Sequence, residues 1–152
     1  MNNSAISALR KIDGFEILRR LFSQNINIPT GVREEFSARF RDLPDFINII
    51  ELDNNQKSRA DSLNLGLGER EAIVLAEDLN AVLVMEDKKP RAVAKERGVE
   101  TIGTLGIIRR AFIECLVSRD ELEEMVEKLK RDLYFRQWLI DWVLEARKSS
   151  SN

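Results

Sequence analysis

From Asn64 to Thr104 the chain alternates a helical pattern, an apolar run and a second helical pattern, which leaves few architectures open. Ala72, Leu75, Ala76 and Leu79 recur at three and four, the period of a helix with one apolar face. Ala81 to Met85 is short and wholly apolar, as expected of a parallel strand covered on both faces. Glu86 and Asp87 follow at its carboxyl end, where open α/β sheets bind ligands. Glu69 stands at the start of the preceding helix. Acids so placed can face one crevice and hold Mg²⁺ or Mn²⁺ through oxygen. They have ordinary structural uses too. Glu69 in a first turn complements the helix dipole, and Glu86 or Asp87 can cap the next helix.

Composition narrows the chemistry. The 152 residues carry a net charge of -2, so no overall basic field calls for nucleic acid or an anionic membrane. There is no histidine, which excludes Ser-His-Asp and Cys-His triads and any His-ligated zinc. The lone Cys115 permits no intrachain disulfide and is expected to pack as a small hydrophobe on a helix face. No signal peptide or membrane span is read, so the expected location is cytoplasmic.

Along the chain, Ser4 to Phe22 reads as helix broken at Asp13-Gly14. Asn25 to Pro29 reads as a strand. Thr30 caps a helix with Val32, Phe36 and Phe40 on one face, and Phe46 to Leu52 is a second strand. Gln56 to Leu65 is weakly helical. Pro90 to Arg97 is a helix stopped by Gly98, Glu100 to Ile102 is a strand, and Gly103-Thr104 turns into a helix carrying Leu105, Ile108, Phe112 and Leu116. The remainder is helical, with Leu122, Met125, Val126 and Leu129 periodic. Trp138 and Trp142, at helical spacing, are read as core packing or self-association rather than a cofactor site. One domain over 1–148 is expected, with 149–152 frayed. It should be a three-layer α/β fold, a mostly parallel sheet flanked by helices with right-handed crossovers and a helical C-terminus.

Three segments together resemble the PIN-domain proteins, in particular their VapC-like branch: Leu67 to Ala76, Val84 to Arg91, and Ile102 to Gly106. Ile28 to Phe36 is similar to the family's strand-to-helix acidic segment. The resemblance implies a divalent-metal-dependent ribonuclease acting on single-stranded or structured RNA, and in many members a toxin with an antitoxin partner and a homodimer. It assigns catalytic acids to Glu35, Glu69 and Asp87, with Glu86 accessory and Mg²⁺ or Mn²⁺ as cofactor. Ser4, Lys88 and Arg91 would lie near phosphate. The family's first acid falls at Asn2, where no strand precedes it. That removes one negative charge from the metal set, although asparagine stands there in some members of the branch. The alternative implied by Asn2 is a degenerate module that binds nucleic acid or a partner and cuts nothing. Basic rims at Arg19-Arg20, Lys88-Lys89 with Arg91, and Arg109-Arg110 would offset acid–phosphate repulsion, if they are not simply solvated helix faces.

Overall fold

A computed structural model describes residues 1–23, 25–38 and 42–149. Phe40 and the tail from 150 to 152 lie outside them. Helices α1 (Asn3–Lys11) and α2 (Phe15–Phe22) are separated where Asp13 takes a left-handed φ of 54°. Strand β1 (Ile26–Pro29), helix α3 (Thr30–Ser37) and strand β2 (Ile47–Ile50) form one parallel crossover unit, with Ile26 opposite Ile47 and Pro29 opposite Ile50. Helices α4 (Asn54–Asp61) and α5 (Leu67–Asp78) lead into a second unit. It comprises β3 (Leu83–Val84), α6 (Lys88–Glu96) and β4 (Thr101–Ile102), with Leu83 opposite Thr101. Helices α7 (Thr104–Ile113), α8 (Arg119–Lys130) and α9 (Gln137–Leu144) complete the chain. Among the described residues no helix is long and apolar enough to cross a membrane.

The strands are parallel, as expected, but they form two pairs rather than one continuous sheet. Residues 1 and 2 stand between the pairs. The Met1 amine donates to Asn27 O on β1 at 3.4 Å, and Asn2 N donates to Val84 O on β3 at 3.1 Å. The gap beside them is an apolar cavity of about 320 Å³, bordered by Met1, Leu18, Phe22, Leu79 and Val82. This gap explains two departures from the sequence reading. The Ala81–Met85 run is not covered on both faces: Leu83 and Met85 are buried, whereas Val82 is 45% exposed. Leu79, placed on the apolar face of α5, is 50% exposed at the helix's end.

The core is one cluster in which Ile6, Leu9, Leu18, Ile28, Phe36, Ile73, Leu83, Met85, Ile108 and Leu129 are almost wholly buried. Each such side chain contributes roughly 1.5–3 kcal/mol on burial. Helix α5 is buried nearly all round because α3 and α4 both pack on it. Its outer residues Val74 and Leu75 form a small second cluster with Leu52 and Ala60. Helix α4, polar and weakly periodic, is held by the capping box of Asp53 and Gln56 and by Arg59 pairing with Asp78 at 2.6 Å. Gly98, at φ 74°, ends α6 as expected, with Val99 N returning to Ala94 O.

Other positions depart from expectation. Thr30 is the first residue of α3 rather than its cap, and Pro29 occupies the cap position. Helix α7 stops at Ile113, and Cys115 takes a left-handed φ of 60° and is exposed rather than packed. Trp138 and Trp142 are not core: they are 62% and 40% exposed, and α9 turns Ile140 and Val143 inward instead. Arg119 fixes that orientation. Its guanidinium lies 4.3 Å from the Phe112 ring centroid and donates to Leu144 O and Ala146 O, each at 2.6 Å.

Candidate functional site

Asn2 and Asp87, distant in sequence, meet at the carboxyl end of β3. Asn2 caps α1, its Oδ1 accepting the Ala5 N–H at 3.2 Å. That bond fixes which end of the amide points outward. Nδ2 therefore faces Asp87 and donates to Oδ2 at 3.4 Å. Asn2 is 2% exposed while Asp87 is exposed, so the pair bridges the interior and the surface. An aspartate in its place would oppose one carboxylate with another.

Asp87 begins α6 as the cap residue but makes no side-chain capping bond. Its neighbour Glu86 caps a different helix. The Glu86 carboxylate accepts from both the backbone N–H and the hydroxyl of Thr104, in the first turn of α7. Gly103 lets this happen: a Cβ there would stand 3.2 Å from an Arg91 guanidinium nitrogen and 3.4 Å from Glu86. Arg91 itself donates to Met85 O at 3.0 Å.

The remaining acids belong to the packing of α3 on α5. Glu35, on α3, accepts the Gly68 N–H in the first turn of α5 at 2.9 Å. Glu71, on α5, accepts the Gly31 N–H in the first turn of α3 at 2.9 Å. Each helix thus satisfies an otherwise unpaired donor of the other. Both glycines are required by proximity. A Cβ on Gly31 would lie 2.6 Å from Glu71 Oε2, and one on Gly68 would lie 2.7 Å from Glu35 Oε2. Glu71, 8% exposed, was missed by sequence reasoning; the signal was a glycine in the first turn of each helix with a glutamate one turn on. Glu69 folds back on its own helix and accepts the Gly66 N–H at 3.1 Å.

A groove of about 560 Å³ is lined by Glu86 and Asp87, by Lys88 and Arg91 of α6, and by Arg136 and Trp138 at the start of α9. Neither Glu35, Glu69 nor Ser4 borders it. Ser4 is half buried in the first turn of α1. Most of the expected basic rim is engaged elsewhere. Arg19 pairs with Glu16, Arg110 with Glu114, both at 2.7 Å, and Lys89 donates to Asn64 O at 2.8 Å. Arg109 stacks 4.3 Å from the Trp142 ring centroid.

Hard divalent cations need several oxygens aimed at one point. Here each assigned carboxylate accepts a hydrogen bond, from Gly68, Gly66, Thr104 or Asn2, and Asn2 presents an N–H rather than an oxygen. Among the described residues no three acidic or cysteine side chains are grouped closely enough to hold a metal ion. Asn3 Oδ1, next in sequence to Asn2, is buried and has no hydrogen-bond partner. As arranged, these residues do not fit a metal centre.

No curated protein matches the chain. A family model described as a PIN domain, DUF3368, matches residues 1–148, which takes in both crossover units, the acids at the end of β3 and the C-terminal helices. The fold is accordingly of the nuclease type, in a group whose members usually use divalent metals and bind nucleic acid. On that match, with the α/β architecture and acid-bearing strand end that accompany it, the chain belongs to the PIN-domain family.

Proposed function

We propose that this PIN domain binds single-stranded RNA in the groove at the end of β3 and does so without metal-dependent cutting. The observation that carries this reading is the Asn2 amide donating to Asp87, in the place where the family resemblance puts a first acid. The Asn2 amide occupies one oxygen of Asp87, and Thr104 likewise occupies Glu86. Lys88, Arg91 and Arg136 border the same groove, and their three cations outnumber its two carboxylates and would meet phosphate. Unpaired RNA suits such a groove because its backbone bends and its bases are accessible.

The test is binding of a fluorescent single-stranded RNA in EDTA across a salt series. The expected result is saturable binding that weakens with salt and falls when Lys88 and Arg91 are both changed to Ala. Binding that appears only on adding Mn²⁺ would overturn the reading.

A second reading has its own observation, the unpartnered Asn3 Oδ1 together with a single long bond to Asp87. In it the acids rearrange, and Glu35, Glu69, Asp87, Glu86 and Asn2 hold Mg²⁺ or Mn²⁺ while Ser4, Lys88 and Arg91 touch substrate. The domain is then a metal-dependent ribonuclease. The VapC-like toxin role, an antitoxin partner, a homodimer and a cytoplasmic setting go with that reading.

A further inference from the structure

Residues outside the acid site line part of the wall of the same groove. Tyr134, in the connection between α8 and α9, is 93% exposed, and Trp138 on α9 is 62% exposed. Burial of the opposite stripe of α9, with Val143 wholly inaccessible, leaves Trp138 outward. The wall is fixed. Arg119 clamps the end of α9, and Arg109 stacks on Trp142 while donating to its carbonyl at 3.2 Å. Exposed rings of this size commonly meet a partner, and here the surroundings say which kind. Lys88, Arg91 and Arg136 share the groove, three cations against the two carboxylates Glu86 and Asp87. Such a lining complements a polyanion with flat apolar faces.

We infer that Trp138, with Tyr134 beside it, is a stacking platform for an unpaired base of the RNA whose phosphates lie against Lys88, Arg91 and Arg136. This rests on the RNA-binding reading and deepens it by naming what selects the single strand. Every base has a π face, so a stacking wall tolerates sequence; a duplex keeps its bases stacked inside and cannot offer one. The groove volume of about 560 Å³ falls in the range of small-ligand sites and admits one base rather than a helix.

The experiment compares, on the intact protein, a labelled single-stranded RNA of about twelve nucleotides with an abasic ribose-phosphate oligomer of equal length. Expected are about tenfold or greater preference for the RNA over the abasic oligomer, and quenching of tryptophan emission on binding. Trp138→Ala should bring RNA binding down to the abasic level, and Trp138→Phe should retain it. Two results overturn the inference but leave the RNA-binding reading standing. One is equal binding of both oligomers that still falls in the Lys88→Ala/Arg91→Ala double variant. The other is a dimer in sedimentation that shields Trp138 from acrylamide, which would make a second copy the occupant. No binding of RNA by wild type overturns both.

Discussion

Glu71 on α5 accepts the Gly31 N–H of α3 at 2.9 Å, and the glycine has no side chain because the carboxylate stands where its Cβ would be. With Glu35 and Gly68 it forms a reciprocal pair of caps that locks α3 against α5. Helix α3 starts directly from the end of β1, so the pair also seats α5 beside that strand.

Removing Glu71 should therefore act on stability. Glu71→Ala leaves a buried N–H unsatisfied and should cost about 2–3 kcal/mol in urea unfolding. Gly31→Ala should cost a similar amount by overpacking, about 1–3 kcal/mol. Glu35→Ala, at a half-buried position, should cost about 1 kcal/mol. Equal and negligible losses in all three would refute the reciprocal capping.

Asn2→Asp replaces a donor facing Asp87 with a second carboxylate. The variant should lose roughly 1–2 kcal/mol at pH 7. Repulsion raises a carboxyl pKa in the folded state, so the loss should shrink as pH falls and that group protonates. Mn²⁺ should raise the melting temperature of Asn2→Asp more than that of wild type, measured by differential scanning fluorimetry.

A preparation whose chain starts at Met1 should show a pH dependence of stability between about 5 and 8. Burial lowers the Met1 amine from 8.0 to about 5. In that window the unfolded chain binds a proton that the folded chain does not, so stability rises with pH and levels off above 8. The full span corresponds to at most about 4 kcal/mol. Absence of histidine leaves few other groups titrating there. Acetylating the amine, or extending the chain upstream, should flatten the profile.

Much of the fold was legible locally. Breaks at Asp13 and Gly98 were readable because their backbone requirement belongs to one residue, and the helix-strand-helix order was readable from period. The family resemblance assigned Asn2 and Asp87 to one site, but the hydrogen bond between them was not legible in the sequence. Glu71 was not legible, because a cap donated across two helices depends on which helices pack. Of the two uses read for Trp138, core packing is set aside by its exposure: α9 carries two apolar stripes, spacing does not say which one faces inward, and Ile140 and Val143 take that place. The apolar run at Ala81–Met85 suggested a fully covered strand, but an apolar cavity opens beside β3 and Val82 is 45% exposed.

Asp87→Asn gives a further separation of the two readings. With its carboxylate removed, the groove repels phosphate less. Affinity for single-stranded RNA in EDTA should rise about two- to fivefold at low salt and converge with wild type at high salt.

The most direct measurement is a cleavage time course on the same single-stranded RNA with wild type and Asp87→Asn, in Mn²⁺ and in EDTA, alongside binding on the same samples. The expected result is RNA bound in every condition and left intact. Cutting by wild type in Mn²⁺ that vanishes in EDTA and in Asp87→Asn would contradict the proposal and establish the ribonuclease.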